Sequence, residues 1–390
     1  MRYKLKNRFR TLLLIFMVLI INSCKDSFNT NFENIKVEGA LTPSYAVPLV
    51  DAKFTLEELL PDDDDLNRYL TIDDNDFITI AYKDQVAEYL IDDFMDGEPL
   101  SGSSLPFIQY SIDPQIINLN LNTILSQGSI YFANPSLKII ITNYWDIPAK
   151  FKFKDFYYYK EENSDAIPVT GQAVTEWDTI PGPGPIHGDS IVYKIVLDTA
   201  TSNVDELISA LPHHISFGAD FETIPGDPYD LPAGSVNKLG IEVSIPLELR
   251  LTNILFTDTL DFNIGVDPDS ANISSLTINF IADNGFPLGM NSQVYFTDEN
   301  YMILDSLFEN SRFNLKPGIG SGKEIESVES KVTIKLSGER MDKILDAKYL
   351  IPSVLFNTTD AANNVNIKLY STFEFGLKLS AKADMEITME

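Results

Sequence analysis

Cysteine is almost absent from this sequence of 390 residues, which contains one, Cys24. A single thiol cannot form a disulfide within the chain, and it cannot supply the converging sulfur ligands of a zinc or iron–sulfur site. Histidine is nearly as scarce: the chain has His187, His213 and His214, and no HxxxH or HExxH spacing. We therefore expect neither a metal centre built from cysteine or histidine nor histidine-based catalysis.

Apolar runs long enough to span a bilayer are lacking as well. The run Thr11–Ile21 is about half of the roughly 20 residues that a membrane-spanning helix needs. It follows MRYKLKNRFR, which has five positive charges and no negative one, and it is followed by the small residue Ser23. These are the three parts of a secretory signal, so residues 1–23 are predicted to be a signal peptide that is cleaved between Ser23 and Cys24.

The order Ile21-Asn22-Ser23-Cys24 resembles a bacterial lipobox, although asparagine departs from its commonest pattern. Lys25 and the aspartate after it resemble the export signals of Bacteroidota surface lipoproteins. The resemblance implies that Cys24 is acylated, for example by palmitate, and that the protein is a lipid-anchored outer-membrane lipoprotein. It does not indicate which face of the outer membrane the protein occupies, and the cell surface is one of the two. Residues 24–45 would then be a lipidated tether. The alternative is a plain signal peptide or membrane anchor with an incidental cysteine.

Positive charge is scarce, with 29 Lys and Arg against 57 Asp and Glu and a formal charge of −28. Removing the five positive charges of the signal changes −28 to −33. Such a surface repels phosphate backbones, so we expect no nucleic-acid partner. The apolar fraction of 44% is that of a globular chain rather than a disordered one.

Acidic residues are concentrated in residues 46–128, which we treat as an acidic N-terminal region. The densest parts are PDDDDLN (Pro61–Asn67) and TIDDNDF (Thr71–Phe77). Carboxylates are ligands for calcium, but the glycine of an EF-hand loop is missing here. A calcium site and a solvated acidic face with an Asx-rich hairpin turn both remain open, as does whether the region is a separate domain.

Most of the chain after residue 100 alternates between apolar and polar residues, as in Val332-Thr333-Ile334-Lys335-Leu336. This period of two is typical of half-buried strands, and many short strands separated by turn residues indicate sandwiches or barrels. The predicted fold class is mainly β, with tandem β-sandwich-like modules and a few short helices. One helix is predicted over Leu56–Leu60, where Thr55 and Glu58 form a capping box.

Three landmarks recur in one order and indicate a duplicated module of about 130–140 residues. They are helical VDELISA and MDKILDA (Val204–Ala210, Met341–Ala347), the strand pairs Leu137–Asn163 and Leu276–Asn300, and IPLELRL and FGLKLSA (Ile245–Leu251, Phe375–Ala381). We predict β module 1 at 129–262 and its repeat, β module 2, at 263–390.

Within the second landmark, a strand ends in Asn and is followed by an apolar residue and proline, at Ile147-Pro148 and Phe286-Pro287. Proline cannot donate a ladder hydrogen bond, so the strand must bend there, and the apolar residue is expected to plug one end of the core. This pattern resembles the late-embryogenesis-abundant type 2 β-sandwich, which implies a fold and no catalytic residues.

Candidate ligand-binding residues are aromatic. Trp145, Tyr157 and Tyr159 lie in or near DFYYYK (Asp155–Lys160), where Tyr157 and Tyr159 share one strand face and Phe156 and Tyr158 the other. One set is expected to be core, and the other is a candidate platform for stacking sugars. No nucleophile elbow or phosphate loop follows a strand, and carboxylate pairs are too numerous in an acidic chain to identify a glycosidase.

The sequence thus favours a non-catalytic, membrane-anchored envelope lipoprotein without cofactors, which acts as an interaction or structural component with other envelope proteins as partners. The alternative is a carrier that binds a lipid or another apolar ligand. A glycan-binding or hydrolytic accessory protein is a third hypothesis. An apolar cavity would favour the carrier, and exposed coplanar rings would favour the glycan binder.

Overall fold

The structure is a computed structural model in which, among the residues that it describes, β-strands hold 62% and helices 9%. The residues it describes are 44–59, 70–90, 100–102, 107–119, 127–144, 147–182, 190–225, 229–231, 236–262, 273–309 and 311–385. The sheets are antiparallel and arranged as sandwiches, which confirms the predicted fold class.

The chain forms two compact units, one of which interrupts the other in sequence. The split unit holds the described residues within Met1–Asp62, Ser126–Gly128 and Leu251–Glu390. The inserted unit holds those within Asp63–Leu125 and Ser129–Arg250. These boundaries differ from the predicted ones, because the strands of the acidic N-terminal region are shared between both units.

The split unit begins with the first strand and helix of the chain, β1 (Ser44–Thr55) and α1 (Leu56–Leu59). The predicted capping box is confirmed: the Thr55 N–H donates to Glu58 Oε2 at 2.9 Å, and the Glu58 N–H donates to Thr55 Oγ1 at 3.2 Å. These bonds satisfy donors that the first helical turn leaves without intrahelical partners. The capping box therefore ends β1 and starts α1.

The inserted unit follows, and the chain returns to the split unit within the last strand of this series. Its elements are β2 (Leu70–Ile72), β3 (Ile78–Leu90), β4 (Leu100–Gly102), β5 (Gln109–Asn118), β6 (Ser129–Phe132), β7 (Ser136–Asn143), β8 (Ala149–Tyr159), β9 (Ile167–Pro168), α2 (Gln172–Thr175), β10 (Asp178–Ile180), β11 (Ile191–Leu197), α3 (Val204–Ser209), β12 (His214–Thr223), β13 (Tyr229–Leu231), β14 (Val236–Pro246) and β15 (Glu248–Thr252). Its main sheets have the orders β11-β7-β14-β3-β2 and β10-β8-β12-β5.

The remaining elements complete the split unit. They are β16 (Ile254–Thr257), β17 (Leu260–Asp261), β18 (Ile273–Asn284), β19 (Leu288–Thr297), β20 (Ile303–Ser306), β21 (Phe313–Leu315), β22 (Ile319–Ser321), β23 (Glu324–Glu326), β24 (Val328–Ser337), α4 (Glu339–Leu345), β25 (Tyr349–Thr358), a 3₁₀ turn (Ala361–Asn363), β26 (Ile367–Lys368) and β27 (Glu374–Met385). Its main sheets have the orders β24-β18-β27-β1 and β16-β25-β19-β20, with β17 on β25 and β21 on β19.

The two units repeat one topology. In one sheet β11-β7-β14-β3 corresponds to β24-β18-β27-β1, and in the other β8-β12-β5 corresponds to β19-β25-β16. The helices α3 and α4 also match in register. Val204 and Leu207 of α3 are buried, and so are their counterparts in α4, Met341 and Ile344. The offset of 137 residues between VDELISA and MDKILDA thus places equivalent core residues on equivalent turns.

One landmark was aligned wrongly. Asn143 lies opposite Asn237 on β14, and Asn284 lies opposite Phe375 on β27, so Phe375 is the counterpart of Asn237 rather than of Ile245. Ile245 stands near the end of its strand, which stops at Pro246, whereas Phe375 is near the start of its own. Similar alternation in two strands does not fix their register.

A buried asparagine marks the same corner in both units. Asn143 and Asn284, with 2% and 0% of their surface exposed, end β7 and β18. The Asn143 side-chain amide donates to the carbonyl oxygens of Ile147 and Pro181 at 3.1 Å. The Asn284 amide donates to those of Leu288 and Lys316 at 2.8 Å. Each amide thus joins the turn after its own strand to a distant segment, which follows β10 in the inserted unit and β21 in the split unit.

The residues around this asparagine close the end of the core. Ile147 and Phe286, each just before the motif proline, are buried, which confirms their predicted role as plugs. A glycine packs against the corner in both units: a Cβ on Gly182 would lie 2.7 Å from the Ile147 carbonyl carbon, and one on Gly318 would lie 3.2 Å from the Asn284 carbonyl oxygen. Only glycine allows this close approach of two backbones.

Candidate interaction surfaces

The predicted lipidation and cleavage residues, Cys24 and Ser23, lie outside the described residues, as does Trp145. In the ranges that are described, none of the helices has the length and apolar character that crossing a bilayer requires. The anchor at Cys24 therefore stays a prediction from the sequence.

Tyr157 and Tyr159 share one face of β8, and both are half-buried, whereas Phe156 and Tyr158 on the other face are buried. The structure thus places one set in the core, as the alternation predicted. The Tyr159 ring stacks on His214 with the ring centroids 4.2 Å apart, and Tyr157 lies opposite Pro168 of β9. The outer pair is therefore already in contact with neighbours in the sheet.

His213 and His214 form a hydrogen-bonded pair at the start of β12. Their Nδ1 atoms are 3.0 Å apart, so one ring donates and the other accepts. Burial lowers the pKa of His214, and a charge on His213 would lower it further, whereas Glu162 opposes the shift. His214 lies between Tyr159 of β8 and Asn118 of β5, and His187 lies outside the described residues.

The described part of the acidic region contains the predicted Asx-rich turn. Between β2 and β3, Asp73 Oδ1 accepts the N–H groups of Asn75 and Phe77 at 2.8 and 2.9 Å, and Asp76 has a φ of 62°. These aspartates therefore serve the hairpin itself. Over the described ranges, no three His, Cys, Asp or Glu side chains converge as metal ligands do.

An exposed apolar tip stands between β19 and β20. Tyr301, Met302 and Ile303 are 56%, 66% and 61% exposed, and they follow one another in the chain. Asp298 Oδ1 fixes the turn by accepting the N–H groups of Asn300 and Met302 at 2.9 and 2.8 Å. The three apolar side chains are therefore presented by a hydrogen-bonded turn.

Tyr301 itself is held in an uncommon conformation. Its φ of 62° lies in the left-handed region, which is unfavourable for an aromatic residue. Its ring stacks on Tyr349 of β25 with centroids 4.9 Å apart and planes 20° apart. Strained residues of this kind persist where surrounding contacts hold them, and they concentrate at functional sites.

A groove of about 530 Å³ lies along β24 in the same unit. Its walls are formed by residues 307–309, 311–314 and 332–335, with Arg340 from α4. Its apolar floor includes Phe308 and Phe313, whose rings stack at 5.4 Å, and the buried Ile334. Of its twelve described lining residues, five are apolar and seven are polar or charged, so the groove offers the carrier hypothesis a concavity that is only partly apolar.

The two arginines at the groove differ in their neighbours. Arg340 donates to Asp305 Oδ2 at 3.1 Å and to Glu309 Oε1 at 2.6 Å, so carboxylates offset its charge. Arg312 donates to the carbonyl oxygens of Asn291 and Ser353 at 3.2 and 2.9 Å and to Ser353 Oγ at 2.9 Å. Because these three acceptors are neutral, the charge of Arg312 is not offset by them.

Neither the tip nor the groove was found by reasoning from the sequence. A signal for the tip exists in the aligned repeats, because Asn163 is followed by Ser164 and Asp165, whereas Asn300 is followed by Tyr301 and Met302. An apolar replacement on a turn indicates a surface specific to one copy. The groove has no such signal, since its walls are brought together by the packing of distant strands.

Comparisons with known proteins add little to this description. No family model matches the chain, and no curated protein matches it. A protein of Parabacteroides distasonis described as secreted has a similar structure with 14% identity and a TM-score of 0.45, over 87% of this chain and 99% of that one. The CBM22-1–CBM22-2 tandem domain of Xyn10C from Paenibacillus barcinonensis has 9% identity and a TM-score of 0.17, over 77% and 97%. Likenesses this distant carry no inference about function.

Proposed function

We propose that this protein is a non-catalytic lipoprotein of the bacterial outer membrane, anchored through acyl chains on Cys24, and that it acts as an interaction component of the cell envelope. The observation that carries the interaction role is the apolar tip of Tyr301, Met302 and Ile303. Contiguous exposed apolar residues mark sites of association, because covering them removes apolar surface from water.

The construction of the tip supports this role. Binding costs free energy when side chains and loops must be ordered, and a turn fixed beforehand by Asp298 and by the Tyr301–Tyr349 stack reduces that cost. Tyrosine is enriched among residues that dominate binding energies. The acidic composition of the chain agrees with a protein partner rather than with nucleic acid.

Photo-crosslinking in living cells tests the interaction role. A photoreactive amino acid at Met302 is expected to give a discrete protein adduct in the envelope fraction. The matched control carries the same amino acid at Val365, which is 46% exposed and lies outside the tip. Adducts of equal yield at both positions, or none at Met302, would contradict the proposal.

The anchor is tested separately with Cys24→Ser. We expect this variant to lose acylation, as measured by incorporation of labelled palmitate, and to leave the outer-membrane fraction. Ser23→Thr changes the neighbouring residue and keeps the thiol, so it serves as the control. Undiminished partition of Cys24→Ser with outer-membrane lipid would show that another segment anchors the protein.

A second function, a carrier for an apolar ligand, is favoured by one observation, the groove along β24. Its volume of about 530 Å³ falls within the range of small-molecule sites. A fluorescent fatty acid is the appropriate probe, and Phe308→Glu, at a half-buried position, is expected to abolish its binding by placing a charge on the groove floor while leaving the circular dichroism spectrum unchanged. Binding that is unchanged in this variant would exclude the groove as the carrier site.

A further inference from the structure

The groove runs along a strand edge. Strand β24 is the last strand of its sheet, hydrogen-bonded to β18 on one side and, within the described residues, to no strand on the other. Val328–Ser337 therefore has no neighbouring strand on that side among the described residues, although the Lys316 N–H donates to Ser330 Oγ near its start. Such an edge offers N–H and C=O groups to an added strand.

Four consecutive residues of β24, Val332 to Lys335, line the groove. Successive side chains of a strand point to opposite faces, so a cavity above one face would be lined by every second residue. Contact with all four means that the groove follows the backbone edge itself. The opposite wall is the segment 311–314, which leads into β21.

The groove floor has the chemistry that an added strand buries. Phe308 and Phe313 stack on each other, and Val332 and Ile334 turn toward the core cluster of this unit. A strand paired with β24 places the side chains opposite Val332 and Ile334 on the same inner face, because directly opposed residues share a face. We therefore expect apolar side chains at the two positions of the added strand that lie opposite Val332 and Ile334.

The outer face of β24 favours acidic side chains on an added strand. Lys331 and Lys335 are exposed there at alternate positions. Lys331 has an exposed partner on its own strand, Glu329 at 3.6 Å, and Lys335 has no ion pair among the described residues. The groove lining thus has two cations without an ion pair among the described residues, Arg312 and Lys335, while its carboxylate Glu309 is paired with Arg340.

We propose that this groove binds an extended peptide segment of a partner protein, which adds as a strand to the free edge of β24. Its residues alternate: apolar side chains pack inward on Phe308 and Phe313, and acidic side chains lie outward beside Lys331 and Lys335. This inference deepens the proposed interaction role and rests on it, but it does not depend on the anchor at Cys24. Main-chain hydrogen bonds provide affinity in such complexes, and the alternating side chains provide specificity.

The test uses the full chain in detergent and three synthetic peptides with blocked ends. The first contains the core Glu-Val-Glu-Val-Glu, the second Lys-Val-Lys-Val-Lys, and the third Glu-Glu-Val-Val-Glu, which has the composition of the first without its alternation. Fluorescence anisotropy is expected to show binding of the first peptide about tenfold tighter than of either other. The second peptide places lysines opposite Lys331 and Lys335, and the third buries a glutamate at one of the two inner positions opposite Val332 and Ile334. Amide hydrogen exchange is expected to slow across Val328–Ser337 and not across β27.

A charge reversal separates strand addition from general attraction. The double variant Lys331→Glu with Lys335→Glu is expected to reverse the preference, so that the Lys-Val-Lys-Val-Lys peptide binds more tightly. The control, Lys150→Glu with Lys160→Glu, makes the same change of net charge at exposed positions of the inserted unit and is expected to keep the original preference.

Three binding results would overturn the inference: no binding of the alternating peptide, equal binding of the non-alternating peptide, or an unreversed preference in the double variant. A fourth is a peptide that a fatty acid displaces completely and that does not slow amide exchange in β24. Failure of crosslinking at Met302 would leave this result intact, since the peptide assay does not use the tip. Failure of the peptide assay with crosslinking at Met302 would confine the interaction to the tip.

Discussion

Replacing Asn284 by alanine should destabilise the split unit selectively. Its side chain is fully buried; the amide donates to the carbonyl oxygens of Leu288 and Lys316 at 2.8 Å, and Oδ1 accepts the Phe286 N–H at 2.9 Å. The variant leaves these three backbone groups without their partner. An unsatisfied buried polar group costs about 1–3 kcal/mol. Because Lys316 is an exposed residue, we expect each of the three groups to cost near the low end of this range, about 3 kcal/mol in total.

The positions of the two tryptophans in the sequence allow the unfolding of the two units to be followed separately. Trp145 and Trp177 both belong to the inserted unit, so tryptophan fluorescence reports the unfolding of that unit, whereas far-ultraviolet circular dichroism reports both units. With a urea m-value of about 2 kcal/mol per molar, 3 kcal/mol moves the midpoint of the split unit by about 1.5 M. The fluorescence midpoint should stay where it is.

Asn143→Ala is the counterpart and should shift the fluorescence transition instead. Its amide bonds of 3.1 Å are longer, so we expect about 2 kcal/mol. Asn314→Ala, at an exposed position on β21, controls for the loss of an amide and should change stability by less than about 0.5 kcal/mol. If Asn284→Ala moved both transitions equally, or neither, the asparagine would not be the corner bond of one unit.

Three further predictions concern the sheets. The pKa of His214 is lowered in the folded chain, so its contribution to stability is complete above the ordinary histidine pKa of about 6.5 and declines as the pH falls through it; His214→Phe should flatten this decline in pH-dependent urea melts. The Lys138 hydrogen bond lowers the pKa of Glu242, so Glu242→Gln should cost about 0.5–1 kcal/mol at neutral pH, and thermal melts should show this cost decline as the pH falls below the ordinary glutamate pKa of about 4.5 and vanish below the lowered pKa of the folded chain. Phe286→Ala should cost about 3–4 kcal/mol in the circular dichroism transition, and an unchanged midpoint would contradict its role as a core plug.

The sequence predicted the parts of the fold that depend on local pattern. Period-two alternation identified β24, and the spacing of Thr55 and Glu58 identified the start of α1. The two VDELISA-type helices gave the correct register because each is a short amphipathic turn bounded by a proline. In all of these, the decisive interactions lie within a few residues of each other in the chain.

The failures involve residues that are far apart in the chain. The strand landmark at Ile245 was misaligned because alternation repeats every two residues and allows many registers. Asn143 and Asn284 were read as strand ends, but their role depends on carbonyl groups 38 and 32 residues away. The groove likewise depends on the packing of the 311–314 segment beside β24, which no local pattern encodes.

The interrupted order of the chain has a consequence for folding. The duplicated sheet of the inserted unit obtains its fourth strand, β3, from within the range of that unit, whereas that of the split unit obtains β1 from before the whole inserted unit. The pairing runs from Ser44 opposite Asp384 to Thr55 opposite Glu374, and Phe54 stacks on Phe375 at 5.6 Å. A fragment that begins at residue 251 lacks this strand and part of the core around Phe375.

We therefore expect residues 251–390 alone to lack a cooperative unfolding transition, and to regain one when a synthetic peptide of residues 44–59 is added. The peptide with Phe54→Ser should restore it at least about tenfold less well, because the aromatic contact and its buried area are lost. Circular dichroism melts at increasing peptide concentration measure both effects. A fragment that melts cooperatively without the peptide would mean that β1 is an addition to a complete sandwich, and that the duplicated module begins after the inserted unit rather than before it.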